Sequence, residues 1–260
     1  MAHQVKKRFG QNFIRDRNLL DKIVRESHID GKTVIEIGPG QGGLTVALLA
    51  RAERVIAYEI DATLRPYLDE LEAAYENLSV IYGDFLDADL DHYREDIHVV
   101  ANVPYYITTP ILFRILETAS ITTASLMVQK EVAERLLAEP GMKQYNALSV
   151  ILQYRARVYR MLEVNRQMFY PIPNVDSVVI RIEKEDSQDP PEKQERFIRF
   201  VKESFRQKRK TLVNNLHEAY GIAKSEIESF LVAQDVHPLT RAERISVTDF
   251  KRIAEAWPYD

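Results

Sequence analysis

The 260-residue chain contains no cysteine. Disulfides, thiolate metal sites and cysteine nucleophiles are excluded, and the composition fits a reducing compartment without requiring one. No apolar run approaches the roughly 18 residues that would cross a membrane as a helix. The opening MAHQVKKRFGQNF lacks the apolar segment of a secretory signal. A cytoplasmic location without a membrane partner is the default expectation. A strong charge of one sign is missing too: 35 Lys and Arg stand against 39 Asp and Glu. The average therefore points away from a polyanion. With 45% hydrophobic residues the chain can still bury a substantial core.

The average conceals blocks. Residues 1–26 hold seven Lys or Arg against three acids, and residues 193–215 hold eight against two, whereas residues 53–98 hold three against thirteen. Solvated helix faces carry charge in this way. Local basic surfaces on an acidic protein also bind polyanions.

Strand and helix signals alternate as far as about residue 180. TVIEIG (33–38), RVIAYE (54–59), LSVIYG (78–83), IHVVAN (97–102) and SLMVQ (125–129) read as buried strands. Between them lie helical segments at 44–50, 64–75 and 108–117, the last with Thr109 as its expected cap and Pro110 at its first position. That order predicts an α/β fold, a mostly parallel sheet with helices on both faces. Residues 158–164 and 177–184 are β-rich and are expected to close the sheet edge as a hairpin-like pair. After the polar break EDSQDPPEKQ the pattern is helical throughout. The expected organisation is an arm and first helix over 1–27, a Rossmann-like domain over 28–184, a linker over 185–194 and a small helical domain over 195–260.

EIGPGQGG places glycines at 38, 40, 42 and 43 after the first strand. Gly38, Gly40 and Gly43 fit the dinucleotide pattern loosely, and Glu59 ends the second strand 21 residues after Gly38, where a carboxylate can accept both ribose hydroxyls. Glycine turns also serve close helix–sheet packing. Two features favour S-adenosylmethionine over a nicotinamide dinucleotide. Glu36 precedes the first glycine by two positions with a proline between the glycines, and Asp84 ends the third strand, placed for an adenine amino group. Asp84 equally suits a helix cap, and Phe85 suits either an adenine wall or the core. Methyl transfer from a sulfonium needs neither metal nor thiol, which agrees with this composition.

NVPY (102–105) ends the fourth strand at the same edge. An ordinary turn would explain it in isolation. In this setting the Asn102 amide oxygen and a carbonyl near Pro104 can accept both protons of an adenine amine. Those bonds free the nitrogen lone pair and aim it at a methyl group. Pro104 stiffens the turn, and the Tyr105 ring can stack on a base lifted from its helix. Phe169, in FYPIPNVDS, is the expected second wall of that base pocket. Tyr106 reads as scaffold.

Taken together, KKRFGQNFIRD, EIGPGQGGLT, YEID, GDFL, NVPYYITTPILF, FYPIPNVDSVVIRI, SFRQKRKTLVNNL and LTRAERIS resemble the KsgA/RsmA family of small-subunit ribosomal RNA adenine dimethyltransferases. Erm-type enzymes acting on large-subunit RNA are similar more distantly. The resemblance implies a class I methyltransferase sheet with a small helical domain, dimethylating two adjacent adenosines near the 3′ end of 16S RNA in an immature 30S particle. It implies S-adenosyl-L-methionine as cofactor, S-adenosyl-L-homocysteine as product, no metal, and a monomer by default. It further implies that Gln11, Asn12, Ile14, Gly38, Gly40, Glu59, Ile60, Asp84, Phe85 and Asn102 hold the cofactor. Lys6, Lys7 and Arg8, with Arg206, Lys208, Arg209 and Lys210, form the candidate phosphate-binding clusters.

Departures from the family pattern are small. Val103 stands where leucine is usual, losing one methylene of an apolar anchor. YNALS (145–149) replaces YGRLS, where Asn146 is expected to stand in for a glycine and Ala147 drops a basic group. The competing readings are Erm-type methylation, a non-catalytic RNA-binding assembly factor and a nicotinamide-dependent oxidoreductase. The last lacks a proton-handling side chain after the glycine loop.

Overall fold

The structure, a computed structural model, describes residues 12–14, 16–185 and 189–259, without the side chain of Tyr105. The chain divides into two compact units, one comprising residues up to Ala133 together with Val158–Lys184, the other Glu134–Arg157 with Glu185–Asp260. Residues 134–157 thus belong with the helical unit rather than with the domain expected over 28–184. The helical unit also takes in the expected linker.

The first unit opens with β1 (Phe13–Ile14) and α1 (Arg17–Glu26), whose N-terminus is capped by the Asp16 side chain accepting from Leu19 N. There follow β2 (Thr33–Ile37), α2 (Gly43–Leu49), β3 (Arg54–Glu59), α3 (Arg65–Ala74), β4 (Leu78–Tyr82) and β5 (Ile97–Asn102). α3 buries Leu68, and Leu64 is buried at the end of the 3₁₀ turn Ala62–Leu64 just before it. α4 (Thr108–Glu117) begins one residue before the expected cap, with Pro110 inside the first turn, where a missing N–H leaves no bond unmade.

β6 (Ile121–Gln129) is four residues longer than its apolar run, because Thr122 and Thr123 continue the strand. α5 (Lys130–Leu136), α6 (Ala147–Arg155), β7 (Ala156–Val164), β8 (Phe169–Tyr170) and β9 (Ser177–Lys184) come next. The seven-stranded sheet runs β4-β3-β2-β5-β6-β9-β7. β2 pairs in parallel with both β3 and β5, and β9 is antiparallel to β6. β9 lies inside the sheet, so β7 rather than a free hairpin forms the edge. Val34, Ile35, Val55, Ile56, Ile97 and Val99 are fully buried, as expected of parallel strands covered on both faces. Each such side chain stabilises the fold by roughly 1.5–3 kcal/mol.

A separate two-stranded ladder joins β1 to β8 antiparallel, pairing Phe13 with Tyr170 and Ile14 with Phe169. This ties the N-terminal segment to the FYPIP loop.

The helical unit contains α5's end, α6, α7 (Pro191–Ser204), α8 (Leu212–Tyr220), α9 (Lys224–Ala233) and α10 (Val247–Ala256). Its core is aromatic: Phe200 packs on Phe250 and Trp257 at ring separations of 6.4 and 5.4 Å. Asn146 is the cap of α6. Its side chain accepts from Leu148 N at 2.9 Å, while its own N–H donates to Ser149 Oγ at 3.1 Å. Its φ of −156° is ordinary extended backbone, so the asparagine serves as a cap and not as a glycine substitute.

Candidate active site

Strand order reverses at β2, with β3 and β4 on one side and β5 and β6 on the other. A crevice opens beyond the carboxyl ends of strands at such a point. The register pairs Ile37 with Ala101, which brings Gly38 level with Asn102 across the opening. A cavity of about 810 Å³ lies there, lined entirely by residues of the first unit.

Two glycines shape its floor. Gly38 (φ 69°) donates its N–H to Tyr58 O at 2.9 Å. Gly40 has φ 60°, and a Cβ there would meet the Phe13 ring at 2.7 Å. Only glycine permits both that backbone and that closeness.

The acids follow from the strand ends. Glu59 Oε2 accepts from Gly40 N at 3.1 Å and Oε1 from Asp61 N at 2.8 Å. Burial raises its pKa and these backbone donors oppose the rise. Asp84 Oδ1 accepts from Leu86 N at 2.9 Å, so the capping reading holds, and the residue lines the cavity as well. Phe85 is likewise shared: buried edge-on against Tyr58 at 5.7 Å, with one side facing the cavity. Ile60 is an exposed apolar wall. Glu36 is buried at the cavity with its carboxyl raised to about 8, chiefly by desolvation. No Lys, Arg or His stands among the described lining residues. Among these residues a pyrophosphate finds no cation, whereas a cationic ligand finds three acids.

Asn102 ends β5 at the cavity wall, and its Nδ2 donates to the backbone carbonyl of Asn12 at 2.8 Å. Asn12 and Ile14 line the same cavity. Val103 is fully buried and anchors the strand end by donating its N–H to Met127 O at 3.2 Å, so the shorter side chain still fills its site. The Pro104 carbonyl accepts from Ile107 N at 3.2 Å and keeps a second lone pair. Gln11 and the Tyr105 side chain lie outside the described residues.

The aromatic expectations come out differently. Phe169 is only 3% exposed and packs in a core cluster with Val164, Met127 and Val179 rather than at the cavity surface. Its place in the β1–β8 ladder turns its ring inward and Tyr170 outward; Tyr170 is 50% exposed and lines the cavity. Tyr106, expected as scaffold, is 60% exposed at the cavity mouth, where the short 3₁₀ turn Tyr105–Ile107 presents it.

Comparison with known proteins decides the family. The sequence profile described as ribosomal RNA adenine dimethylase matches residues 2–257. The chain belongs to this family. It is 46% identical to a ribosomal RNA small subunit methyltransferase A of Onion yellows phytoplasma, over 99% of this chain and 97% of the relative. A protein of the same name from Bacillus mycoides (strain KBAB4) is 42% identical over 96% of this chain and 90% of the relative. Among solved structures, a dimethyladenosine transferase from Plasmodium falciparum superposes with a TM-score of 0.77 at 28% identity, covering 93% of this chain and 95% of that one. The 23S rRNA methyltransferase ErmE gives 0.74 at 27% identity, covering 94% and 98%. The architecture is therefore a class I, Rossmann-like S-adenosylmethionine-dependent methyltransferase core with a C-terminal helical extension.

In this dimethylase the C-terminal basic cluster is partly self-neutralised. Lys210 is paired with Glu218, Arg206 approaches Glu203 at 3.7 Å, and Lys208 donates to the Lys143 carbonyl at 2.7 Å. Arg209 is exposed with no ion pair among the described residues. Lys6, Lys7 and Arg8 lie outside those residues. Sequence reasoning missed Phe13, Tyr67 and Tyr170 at the cavity, for which no local pattern existed. No helix among the described residues is long and apolar enough to cross a membrane.

Proposed function

We propose that this chain uses S-adenosylmethionine to dimethylate the 6-amino groups of two adjacent adenosines in the 3′-terminal hairpin of 16S ribosomal RNA, acting on an immature 30S particle. The observation that carries the reading is the Asn102 amide, held at the wall of a cavity whose described lining carries three acids and no base. The identity of 46% to a small-subunit methyltransferase, against 27% to a 23S enzyme, favours the small-subunit substrate.

The cavity suits this cofactor: its floor needs glycine at 40, and a buried carboxyl oxygen of Glu36 has no hydrogen-bond partner among the described residues. Glu59 would take the ribose hydroxyls on its remaining lone pairs, Asp84 and Phe85 the adenine, and Asn12, Ile14, Gly38, Gly40 and Ile60 the remainder, joined by Gln11 on the family pattern. Bound there, S-adenosylmethionine supplies an electrophilic methyl group on a sulfonium. Asn102 Oδ1 and the free lone pair of the Pro104 carbonyl accept the two amine protons of the target adenine. Those two bonds favour a pyramidal nitrogen, whose lone pair, freed from conjugation with the ring, would face the methyl group. Tyr105 is assigned as stacking face on the family pattern. The cluster around Arg209, with Lys6, Lys7 and Arg8, holds phosphates.

The test is to incubate labelled S-adenosylmethionine with immature 30S particles, 50S particles and naked ribosomal RNA, then map methylated adenines. Labelling of two neighbouring adenosines in the 30S particle is expected. Labelling confined to 50S particles would overturn the assignment.

A further inference from the structure

The loop after β8 turns apolar side chains outward on a braced backbone. Phe169 and Pro173 are buried, so the chain is anchored on both sides of the tripeptide Tyr170–Pro171–Ile172. At its base Arg166 N donates to Asp176 Oδ1 at 2.9 Å, and the Arg166 guanidinium donates to Asn174 O at 3.2 Å. Lys130 N donates to Asp176 O at 3.0 Å and ties the loop to the start of α5. Pro171 fixes its own φ, and Pro173 confines Ile172 to extended backbone. On this stiff tip Ile172 is 61% exposed, with Tyr170, Met168 and Val175 exposed around it. One exposed apolar side chain is ordinary. Several on one braced loop beside a cavity mark a contact surface.

What the loop adjoins identifies its occupant. Tyr170 lines the cavity at whose wall Asn102 ends β5. Ile172 lies two residues further on, no more than about 7 Å along extended chain. An adenine whose amine reaches Asn102 has left its stack. Its strand neighbours stay covalently attached and pass the cavity mouth, within reach of the loop tip. The faces of those bases are apolar and newly uncovered, as is the surface that Ile172 presents.

We propose that Ile172 is a wedge for the RNA stack beside the target adenosine. Its side chain enters the gap that the adenine vacates and packs on the flanking bases, so that the adenine does not restack. Apolar side chains hold opened base steps in this way in other nucleic-acid complexes. The role is separate from gripping the target base and from holding phosphates. It rests on the RNA-adenine reading above and deepens it.

The test uses the full chain with Ile172→Ala and Ile172→Met. Ile172 is exposed, so neither substitution opens a core position. A hairpin RNA with two adjacent adenosines in its loop, the first replaced by 2-aminopurine, reports unstacking by fluorescence. Saturating wild type is expected to raise the emission. Ile172→Ala should give about half that rise or less, and Ile172→Met, which restores a bulky apolar group, should recover most of it. On immature 30S particles Ile172→Ala is expected to lower kcat/KM for methylation roughly tenfold. Ile172 is not part of the cavity lining, so S-adenosylmethionine affinity should stay at the wild-type value. The proposal is overturned if wild type leaves the emission unchanged, if Ile172→Ala matches wild type, or if Ile172→Met does no better than Ile172→Ala. Failure of wild type to methylate any ribosomal particle would remove the RNA-adenine reading itself, which is a separate failure.

Discussion

Asn102 donates its side-chain amide to the backbone carbonyl of Asn12 at 2.8 Å, joining residues 90 positions apart. The bond assigns the two ends of the amide: Nδ2 is committed to Asn12, so Oδ1 is the end free for another donor. An aspartate of the same shape would set a carboxylate oxygen against that carbonyl, two acceptors in contact. Asn102→Asp is therefore expected to lower single-turnover methylation by about 100-fold or more. Cofactor affinity by calorimetry should change by less than about tenfold, roughly 1.4 kcal/mol. Near-normal turnover would remove Asn102 from the chemistry.

Gly40 offers a test of the cavity floor. Gly40→Ala meets two separate penalties, a positive φ and a Cβ 2.7 Å from the Phe13 ring. Thermal melting should show a loss of about 1–2 kcal/mol from the backbone alone. Adding Phe13→Leu should relieve the clash and leave the backbone cost. If the double variant melts like wild type, steric contact was the whole effect.

The aromatic rings separate function from packing. Tyr106→Ala removes an exposed ring and should leave the melting temperature nearly unchanged while reducing methylation of the RNA substrate. Phe169→Ala empties a core position and should cost about 3 kcal/mol or more. Unimpaired methylation by Tyr106→Ala would return that residue to the scaffold. Phe169→Ala melting within a degree of wild type would show that its ring is not a packed core group.

These rings mark where the sequence stopped being readable. β2, β3, β4 and β5 were legible to within a residue, because each is a short apolar run ended by glycine or a polar group. The acids and the amide at their ends then pointed to the sheet edge where the structure has its cavity. The two-residue ladder of β1 with β8 was not legible: it joins positions more than 150 residues apart, and no local pattern encodes it. That ladder decides which of Phe169 and Tyr170 faces the cavity. The membership of residues 134–157 in the helical unit is also non-local, since their packing partners come after residue 184. Asn146 was misread for a different reason. Its capping role depends on Ser149 three positions on, a local signal that was present in YNALS.

The helical unit's basic residues should not contribute equally to RNA binding. Arg209→Ala removes a cation with no ion pair among the described residues and is expected to reduce the slope of log affinity against log salt by about one. Lys210→Ala also frees Glu218, so part of its effect comes from the uncovered carboxylate. Its slope change should be smaller than that of Arg209→Ala while affinity at low salt still drops. Binding isotherms on naked 16S RNA at several salt concentrations read both quantities. An unchanged slope for Arg209→Ala would make that residue part of a solvated face.

Stability should carry the imprint of Glu36. Its carboxyl is raised from 4.5 to about 8 in the folded chain, so between those values the folded state holds a proton that the unfolded state has lost. Stability contributed by this group is thus fully present below about pH 4.5, declines as pH rises, and is gone above about pH 8. Glu59, also raised by burial, acts in the same direction. Over that window the loss is on the order of a few kcal/mol, at about 1.4 kcal/mol per pH unit for a full proton. Denaturant melts of the cofactor-free chain between pH 5 and 9 should show the decline in wild type and a flatter profile in Glu36→Gln. Parallel profiles would mean that the Glu36 carboxyl titrates alike in the folded and unfolded chain.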